Sequence, residues 1–283
     1  MEVSETIQSV RSLIKAARDN GKVIGLVPTM GALHVGHISL IEAARNKCDY
    51  VVVSIFVNPT QFVPGEDFEK YPRPFENDLD ICQKAGVAAV FAPSPEEMYP
   101  AENITWVNVE KITEPLCGQF RPGHFQGVTT VCSKLFNIIA PDIAFFGQKD
   151  AQQAIVIKRM VADLNMPLKI VVCPTVRESN GLAVSSRNKY LSEQQKKDAA
   201  NIYESLQKCH QMIDAGVKET SQIIDEMRQI LQQVPSIEIE YISIVDTDTL
   251  QNIDHITGKV LIAVAVQMGP ARLIDNILLD TAK

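Results

Sequence analysis

Two histidines three residues apart, His34 and His37, lie in the segment Pro28-Thr29-Met30-Gly31-Ala32-Leu33-His34-Val35-Gly36-His37. Residues at i and i+3 of a helix share a face, so both imidazoles can address one ligand. Histidine can change charge near neutral pH and can donate hydrogen bonds to phosphate oxygens. Before the pair, Val23-Ile24-Gly25-Leu26-Val27 reads as a buried parallel strand; after it, Ile38, Leu40, Ile41, Ala43 and Ala44 have helical spacing. The segment is therefore expected to leave a strand's carboxyl end and open a helix. There the unpaired N–H groups of the first turn and the helix dipole favour an anion. Gly31 and Gly36 would let a ligand approach the backbone. The plain alternative is a strand-to-helix turn carrying two surface histidines.

Three further polar segments follow apolar runs. Asn58-Pro59-Thr60-Gln61-Phe62 comes after 50–57, and its two amides offer donors and acceptors to a small polar substrate. Gly147-Gln148-Lys149-Asp150 comes after 142–146, and a lysine at a helix start opposes the dipole unless an anion is near. The loop 175–188 follows 168–173 and carries Ser185-Ser186-Arg187, two hydroxyls and a forked cation suited to a polyphosphate. Each also has a structural reading: Asn58 and Gln61 as turn caps, and Ser-Ser-Arg as a solvated turn before the helix from Ser192.

Strand and helix patterns alternate regularly to position these segments. Helices are expected at 75–85, 127–139 and 151–164, and strands at 50–57, 88–92, 104–109, 142–146 and 168–173. Such alternation predicts an α/β fold built on a doubly wound parallel sheet, with ligands outside the strands' carboxyl ends. Beyond about residue 176 the order changes to helices at 193–215 and 220–234, then strands at 237–245, 260–267 and 273–279. This predicts a second, smaller α+β domain at 177–283 after a first domain at 1–176. The stripe Ile223, Ile224, Met227, Ile230, Leu231 and Val234 reads as its core.

Composition bounds the function. The 283 residues are 46% hydrophobic and 22% charged, as in an ordinary globular protein. The net charge of −7 argues against broad binding to nucleic acid or anionic membrane. No apolar run reaches about 18 residues and no signal-peptide pattern opens the chain, so a cytoplasmic protein is expected. Cys48, Cys82, Cys117, Cys132, Cys173 and Cys209 lack C-x-x-C spacing and read as core fillers.

Taken in order, PTMGALHVGH, FVNPTQF, YPR at 71–73, RPGHFQGV at 121–128, FFGQKDAQQ and SSRN closely resemble the pantoate–β-alanine ligase family. His-x-Gly-His with a later Ser-Ser-Arg also resembles the broader nucleotidyltransferase superfamily, which includes class I aminoacyl-tRNA synthetases. The superfamily signature alone leaves the acceptor open: another adenylate-forming or nucleotidyl-transferring enzyme, or a silent nucleotide sensor, would share it. The family resemblance implies a Rossmann-like nucleotidyltransferase fold and the ATP-dependent joining of pantoate to β-alanine through a pantoyl adenylate. Its products are pantothenate, AMP and pyrophosphate, on the way to coenzyme A.

The same resemblance implies site roles. Met30, Gly31, Ala32, Leu33, His34, Val35, Gly36 and His37 match a first ATP-binding segment, with His37 an acid and His34 a phosphate contact. Gly147, Gln148, Lys149 and Asp150 match a second; Val176 matches a backbone contact to adenine; Val184, Ser185, Ser186 and Arg187 match a third. Lys149 and Arg187 would join the histidines in stabilising phosphate charge. Gln61 and Gln153 match pantoate contacts, Gln61 being shared with β-alanine, and Asn58, Tyr71, Arg121 and His124 lie in motifs around the pocket. Val184 departs from the methionine or lysine common before Ser-Ser-Arg, and its shorter side chain is expected to loosen packing against the nucleotide. Mg²⁺ is expected to bridge the phosphates, with Asp78 as its protein ligand beside Asn77. A homodimer is implied, as is a lid formed by the C-terminal domain, hinged at 175–188 to exclude water from the adenylate.

Overall fold

The computed structural model describes residues 1–281; Ala282 and Lys283, the end of the expected second domain, lie outside the described residues. In chain order the strands are β1 (Glu2–Ser4), β2 (Ile24–Thr29), β3 (Tyr50–Ile55), β4 (Ala89–Phe91), β5 (Ile143–Gly147), β6 (Lys169–Cys173), β7 (Glu238–Asp246), β8 (Lys259–Met268) and β9 (Ala271–Asp280). The helices are α1 (Ile7–Asp19), α2 (Val35–Arg45), α3 (Phe75–Lys84), α4 (Pro95–Met98), α5 (Cys117–Phe120), α6 (His124–Ile139), α7 (Ala151–Asp163), α8 (Glu193–Asp198), α9 (Ala200–Asp214) and α10 (Thr220–Gln232).

The chain divides into two compact units that interleave where the sequence suggests one boundary near 176. The first comprises Met1–Glu110, Arg121–Gly147 and Val156–Pro174; the second comprises Lys111–Phe120, Gln148–Ile155 and the chain from Thr175 on. Gln152 shows why 111–120 groups with 148–155. Its Oε1 accepts the Cys117 N–H at 3.0 Å, and its Nε2 donates to the carbonyls of Ile112 and Pro115 at 3.1 and 2.7 Å.

In the first unit six parallel strands lie in the order β1-β4-β3-β2-β5-β6, the doubly wound sheet that the alternation predicts. β2 and β3 are buried along almost their whole length, which is why they read as unbroken apolar runs rather than alternating ones. On one face Leu40, Ile41 and Ala44 of α2 and Cys82 of α3 pack on Val27, Val51 and Val53. β2 lies between β3 and β5, so the strand order reverses beside it. A crevice at the carboxyl ends is expected at such a reversal.

The 104–109 segment is not a strand. Its Val107 is pinned instead to α6, the N–H donating to Thr130 Oγ1 at 3.1 Å and the carbonyl accepting from Thr129 Oγ1 at 2.6 Å. β1 and α1 are additions to the sequence reading, and α6 starts at His124, after Gly123 at φ +83°.

The second unit holds the antiparallel sheet β7-β8-β9, with a register shift between Ile239 and Tyr241. Ile223, Met227 and Leu231 of α10 are buried with Ile242, Ile244, Ile262 and Val264, and Ile224 packs on them half-buried, so this part of the apolar stripe is core; Ile230 and Val234 are half-buried outside that cluster. The single helix expected at 193–215 is two, α8 and α9, divided at Ala199. Among the described residues no helix is long and apolar enough to cross a membrane. All six cysteines are free and buried, and burial pushes the thiols of Cys82, Cys132 and Cys209 up to about 12, which keeps them unreactive.

One close approach fixes α6 against the 3-10 turn Pro59–Gln61. A Cβ on Gly127 would lie 2.3 Å from the Thr60 carbonyl oxygen and 2.7 Å from Gln61 Cα, so backbone would have to move. Helix propensity alone favours alanine over glycine by about 1 kcal/mol. We expect Gly127→Ala to act with the opposite sign, lowering stability by about 1–3 kcal/mol through overpacking. An unchanged or raised denaturation midpoint would contradict this packing.

Candidate active site

The segment between β2 and α2 satisfies its own backbone. Thr29 Oγ1 donates to the Ser54 carbonyl at 2.7 Å and accepts the Gly31 N–H at 3.1 Å. The Ala32 and Leu33 N–H groups each donate to one oxygen of Asp78, both at 2.8 Å. This hold requires an unusual backbone, with Gly31 at φ +80° and Ala32 at φ +50°. A Cβ on Gly31 would stand 2.9 Å from Asp78 Oδ2. Glycine is therefore needed both for its conformation and for the room it leaves.

The two histidines complete the same pattern. His34 is the N-cap of α2, and its Nδ1 accepts the Gly36 N–H at 3.2 Å; His37 Nδ1 accepts the His34 N–H at 3.2 Å. The His37 and Ile38 N–H groups donate to the His34 carbonyl at 2.8 and 3.1 Å. The expectation that first-turn amides stand open to an anion is thus corrected for Gly36 and His37. The amides of Gly31, Ala32, Leu33, His34, Gly36, His37 and Ile38 all have partners in the protein. What the rings offer follows from their acceptor role. An imidazole whose Nδ1 accepts carries its proton on Nε2, so each ring is an uncharged Nε2–H donor. The ring centroids are 4.0 Å apart, so the donors form a pair.

Asp78 has a structural role in this segment. It is 1% exposed, and each carboxylate oxygen accepts a backbone amide, so it anchors the histidine segment. Among the described residues no group of three or more His, Cys, Asp or Glu side chains is arranged to hold a metal ion.

A second cluster in the same unit orients Gln61. The Asn58 amide donates to Gln61 Oε1 at 3.0 Å and to the Gly127 carbonyl at 3.2 Å. Asn58 Oδ1 accepts from Tyr99 Oη at 2.9 Å and Thr60 Oγ1 at 3.0 Å. With Oε1 engaged, Gln61 presents its NH₂ group, which meets Met30 Sδ at 3.3 Å, so the first motif and Gln61 are together. His124 Nδ1 donates to the Gln61 carbonyl at 2.7 Å, and its Nε2 accepts from Arg121 Nη1 at 3.0 Å. Arg121 is clamped by both oxygens of Glu66, at 2.5 and 2.7 Å. Burial alone would raise the Glu66 carboxyl, but Arg121's hydrogen bonds and charge outweigh it and hold the group below its usual value. Tyr71 is buried, edge-on to Phe62. Tyr99, Glu66 and Gly127 support this cluster, and the sequence reading does not single them out; Gly127, the second glycine of RPGHFQGV, was the one signal available for any of them.

In the second unit, Gln148–Asp150 form a 3-10 turn running into α7. Lys149 and Ser185 line one small cavity together with Asn188 and Asp275, so those two expected ATP residues are neighbours. Ser185 Oγ accepts the Arg187 N–H at 3.3 Å, capping the turn Ser186–Tyr190. The Val184 N–H donates to the Val176 carbonyl at 3.0 Å, and Val184 is buried despite its short side chain. Gln153 is half-buried beside the structural Gln152.

Residues 2–278 match the family model for pantoate-β-alanine ligase. The chain is 55% identical over 280 residues to the pantothenate synthetase of Moorella thermoacetica, covering 99% of each. Its fold matches the crystal structure of pantothenate synthetase from Thermus thermophilus with a TM-score of 0.93 at 42% identity, covering 98% of this chain and 99% of that one. It also matches pantoate-β-alanine ligase from Francisella tularensis, solved in complex with β-γ ATP and β-alanine. There the TM-score is 0.80 at 35% identity, covering 98% and 97%.

Asp78→Asn should place an NH₂ group against one of the two amides it now accepts, lowering stability by about 1–3 kcal/mol. The anchor role requires this loss in metal-free, nucleotide-free solution, with faster hydrogen exchange at Ala32 and Leu33. Wild-type stability and exchange under those conditions would contradict the anchor role.

Proposed function

The chain belongs to the pantoate–β-alanine ligase family, and from that membership we propose how its own residues condense pantoate with β-alanine at the expense of ATP. A carboxylate is a poor acyl donor because oxide is a poor leaving group. A pantoate carboxylate oxygen therefore bonds to the α-phosphorus of ATP as the bond to the β-phosphate oxygen breaks, giving pantoyl adenylate and pyrophosphate. The uncharged amine of β-alanine then attacks the acyl carbon, AMP leaves, and the amine's proton is lost. Pantothenate results, a precursor of coenzyme A, and no enzyme nucleophile is consumed.

The observation that carries the reading is the paired Nε2–H donors of His34 and His37 on a segment that also reaches Gln61 through Met30. Uncharged donors of fixed direction can stabilise charge that grows on phosphate oxygens in the transition state. The acid role implied for His37 thereby becomes hydrogen-bond donation from Nε2. From the family resemblance, Lys149, Ser185, Ser186 and Arg187 are read as further donors to ATP, with Met30 to His37, Gly147 to Asp150 and Val184 as binding segments and Val176 at the adenine. Gln61 offers its NH₂ group to pantoate and later to β-alanine, steadied by Asn58, while Gln153 and Tyr71 complete the substrate contacts. ATP enters as its Mg²⁺ complex. Mg²⁺ would neutralise phosphate charge there, and such a hard cation needs only one or two carboxylates from the protein, the family resemblance pointing to Asp78.

A homodimer in the cytoplasm completes the proposal. Ile104 and Trp106, 86% and 41% exposed on one extended segment, are apolar groups that a second copy would cover. Six free cysteines suit a reducing compartment.

Purified protein given ATP, Mg²⁺ and pantoate should release one enzyme equivalent of pyrophosphate, and adding β-alanine should convert this burst to steady AMP and pantothenate production. Release that does not depend on pantoate would contradict the reaction. His37→Ala should slow the burst about 10²–10³-fold with ATP still bound, the usual cost of one such donor. Wild-type turnover would remove His37 from the reaction. Trp106→Glu should convert a sedimenting dimer to monomer; a monomeric wild type would contradict the homodimer.

A further inference from the structure

Adjacent residues of β9, Asp275 and Asn276, are 3% and 5% exposed and lie far along the chain from any ATP motif. Buried polar side chains need partners, and these two find theirs in the segments assigned to ATP. Asn276 Nδ2 donates to the carbonyls of Gln148 and Lys149 at 3.0 and 2.9 Å, while its Oδ1 accepts from Gln148 Nε2 at 2.9 Å. One amide thus fixes both peptide groups on which the Lys149 side chain is carried. Asp275 ties β9 to Arg177 at the same point. It receives Arg177 at 2.5 and 3.0 Å, and Arg177 also donates to the Gly181 carbonyl and stacks 3.7 Å over the Tyr203 ring. The loop that runs on to Ser185 and Arg187 is thereby tied to the strand that carries Asn276.

We propose that Asn276 is the positioning residue for Lys149 in adenylate formation. The inference rests on the reading of Lys149 as a phosphate contact and adds what aims it. Asparagine suits the task because it presents two N–H donors and an acceptor in one plane, matching two carbonyls and one amide NH₂. Aspartate at the same site would keep the acceptor but turn an oxygen toward two carbonyl oxygens. A misplacement of about 1 Å at a reacting group can cost about 10²-fold in rate.

The test is a double-mutant cycle in the full-length protein: wild type, Lys149→Ala, Asn276→Ala and the double variant. Each is read by single-turnover pyrophosphate formation at saturating ATP and pantoate, with KM for pantoate and the denaturation midpoint recorded alongside. We expect Asn276→Ala to slow adenylate formation roughly 10- to 100-fold with KM for pantoate within about twofold of wild type. The double variant should then be no slower than Lys149→Ala alone, because a residue acting through Lys149 has nothing left to aim. Rates for Asn276→Ala within about threefold of wild type, or effects that multiply in the double variant, would overturn the proposal while leaving Lys149 in place. Wild-type rates for Lys149→Ala would instead overturn the underlying reading, and the proposal with it. If Asn276→Ala does not fold, the isosteric Asn276→Asp takes its place in the cycle with the same outcomes.

Discussion

The buried carboxylate of Asp78 is the constraint on which the rest of the site depends. An ionised carboxylate removed from water is costly unless charge or hydrogen bonds replace its solvent, and here two backbone amides do so. Those amides belong to Ala32 and Leu33, 46 and 45 residues away in sequence, so α3 and the loop after β2 are fixed to each other. The geometry that lets both amides face one side chain puts Gly31 and Ala32 at positive φ. That bend delivers His34 to the N-cap of α2, where the imidazoles take the N–H groups of His34 and Gly36. With Nδ1 of each ring given to the backbone, the Nε2–H edges are the donors that the rings present.

The same device recurs elsewhere. An amide side chain carries donor and acceptor in one rigid plane, so it can join two peptide groups or aim another side chain. Asn58 aims Gln61 and is itself held by Tyr99 and the Gly127 carbonyl. Gln152 ties the 112–117 backbone to the start of α7. Asn276 fixes the turn at Gln148 and Lys149. In each case an amide engaged with the protein stands next to a side chain proposed for substrate or nucleotide. This division keeps the contacting groups preorganised without drawing on the ligand's binding energy.

Much of the architecture was legible because burial leaves a strong pattern. β2 and β3, covered on both faces, read as continuous apolar runs, and Ile223, Met227 and Leu231 of the α10 stripe are core. Alternation at 104–109 misled, since an extended segment held by threonines of a helix shows the same period as a strand. α1 has the spacing Val10, Ile14, Ala17 but is otherwise polar, and it escaped notice. At the site, the residues within short motifs could be named from sequence. Their supports could not: Tyr99 meets Asn58 across 41 residues and Asn276 meets Gln148 across 128. The family resemblance offered Asp78 as a metal ligand; its hold on the Ala32 and Leu33 amides was not legible, because backbone amides carry no side-chain signature.

Long-range ¹⁵N NMR of the histidine rings tests this account most directly, since the chain has five histidines. His34 and His37 should appear as neutral rings with the proton on Nε2 and an unprotonated, hydrogen-bonded Nδ1. His124 supplies the internal contrast, because its Nδ1 donates to the Gln61 carbonyl and its Nε2 accepts from Arg121. It should show the opposite tautomer in the same spectrum. Nδ1-protonated or fully charged rings at His34 and His37 in the free protein at neutral pH would contradict the hydrogen-bond pattern from which the site is built.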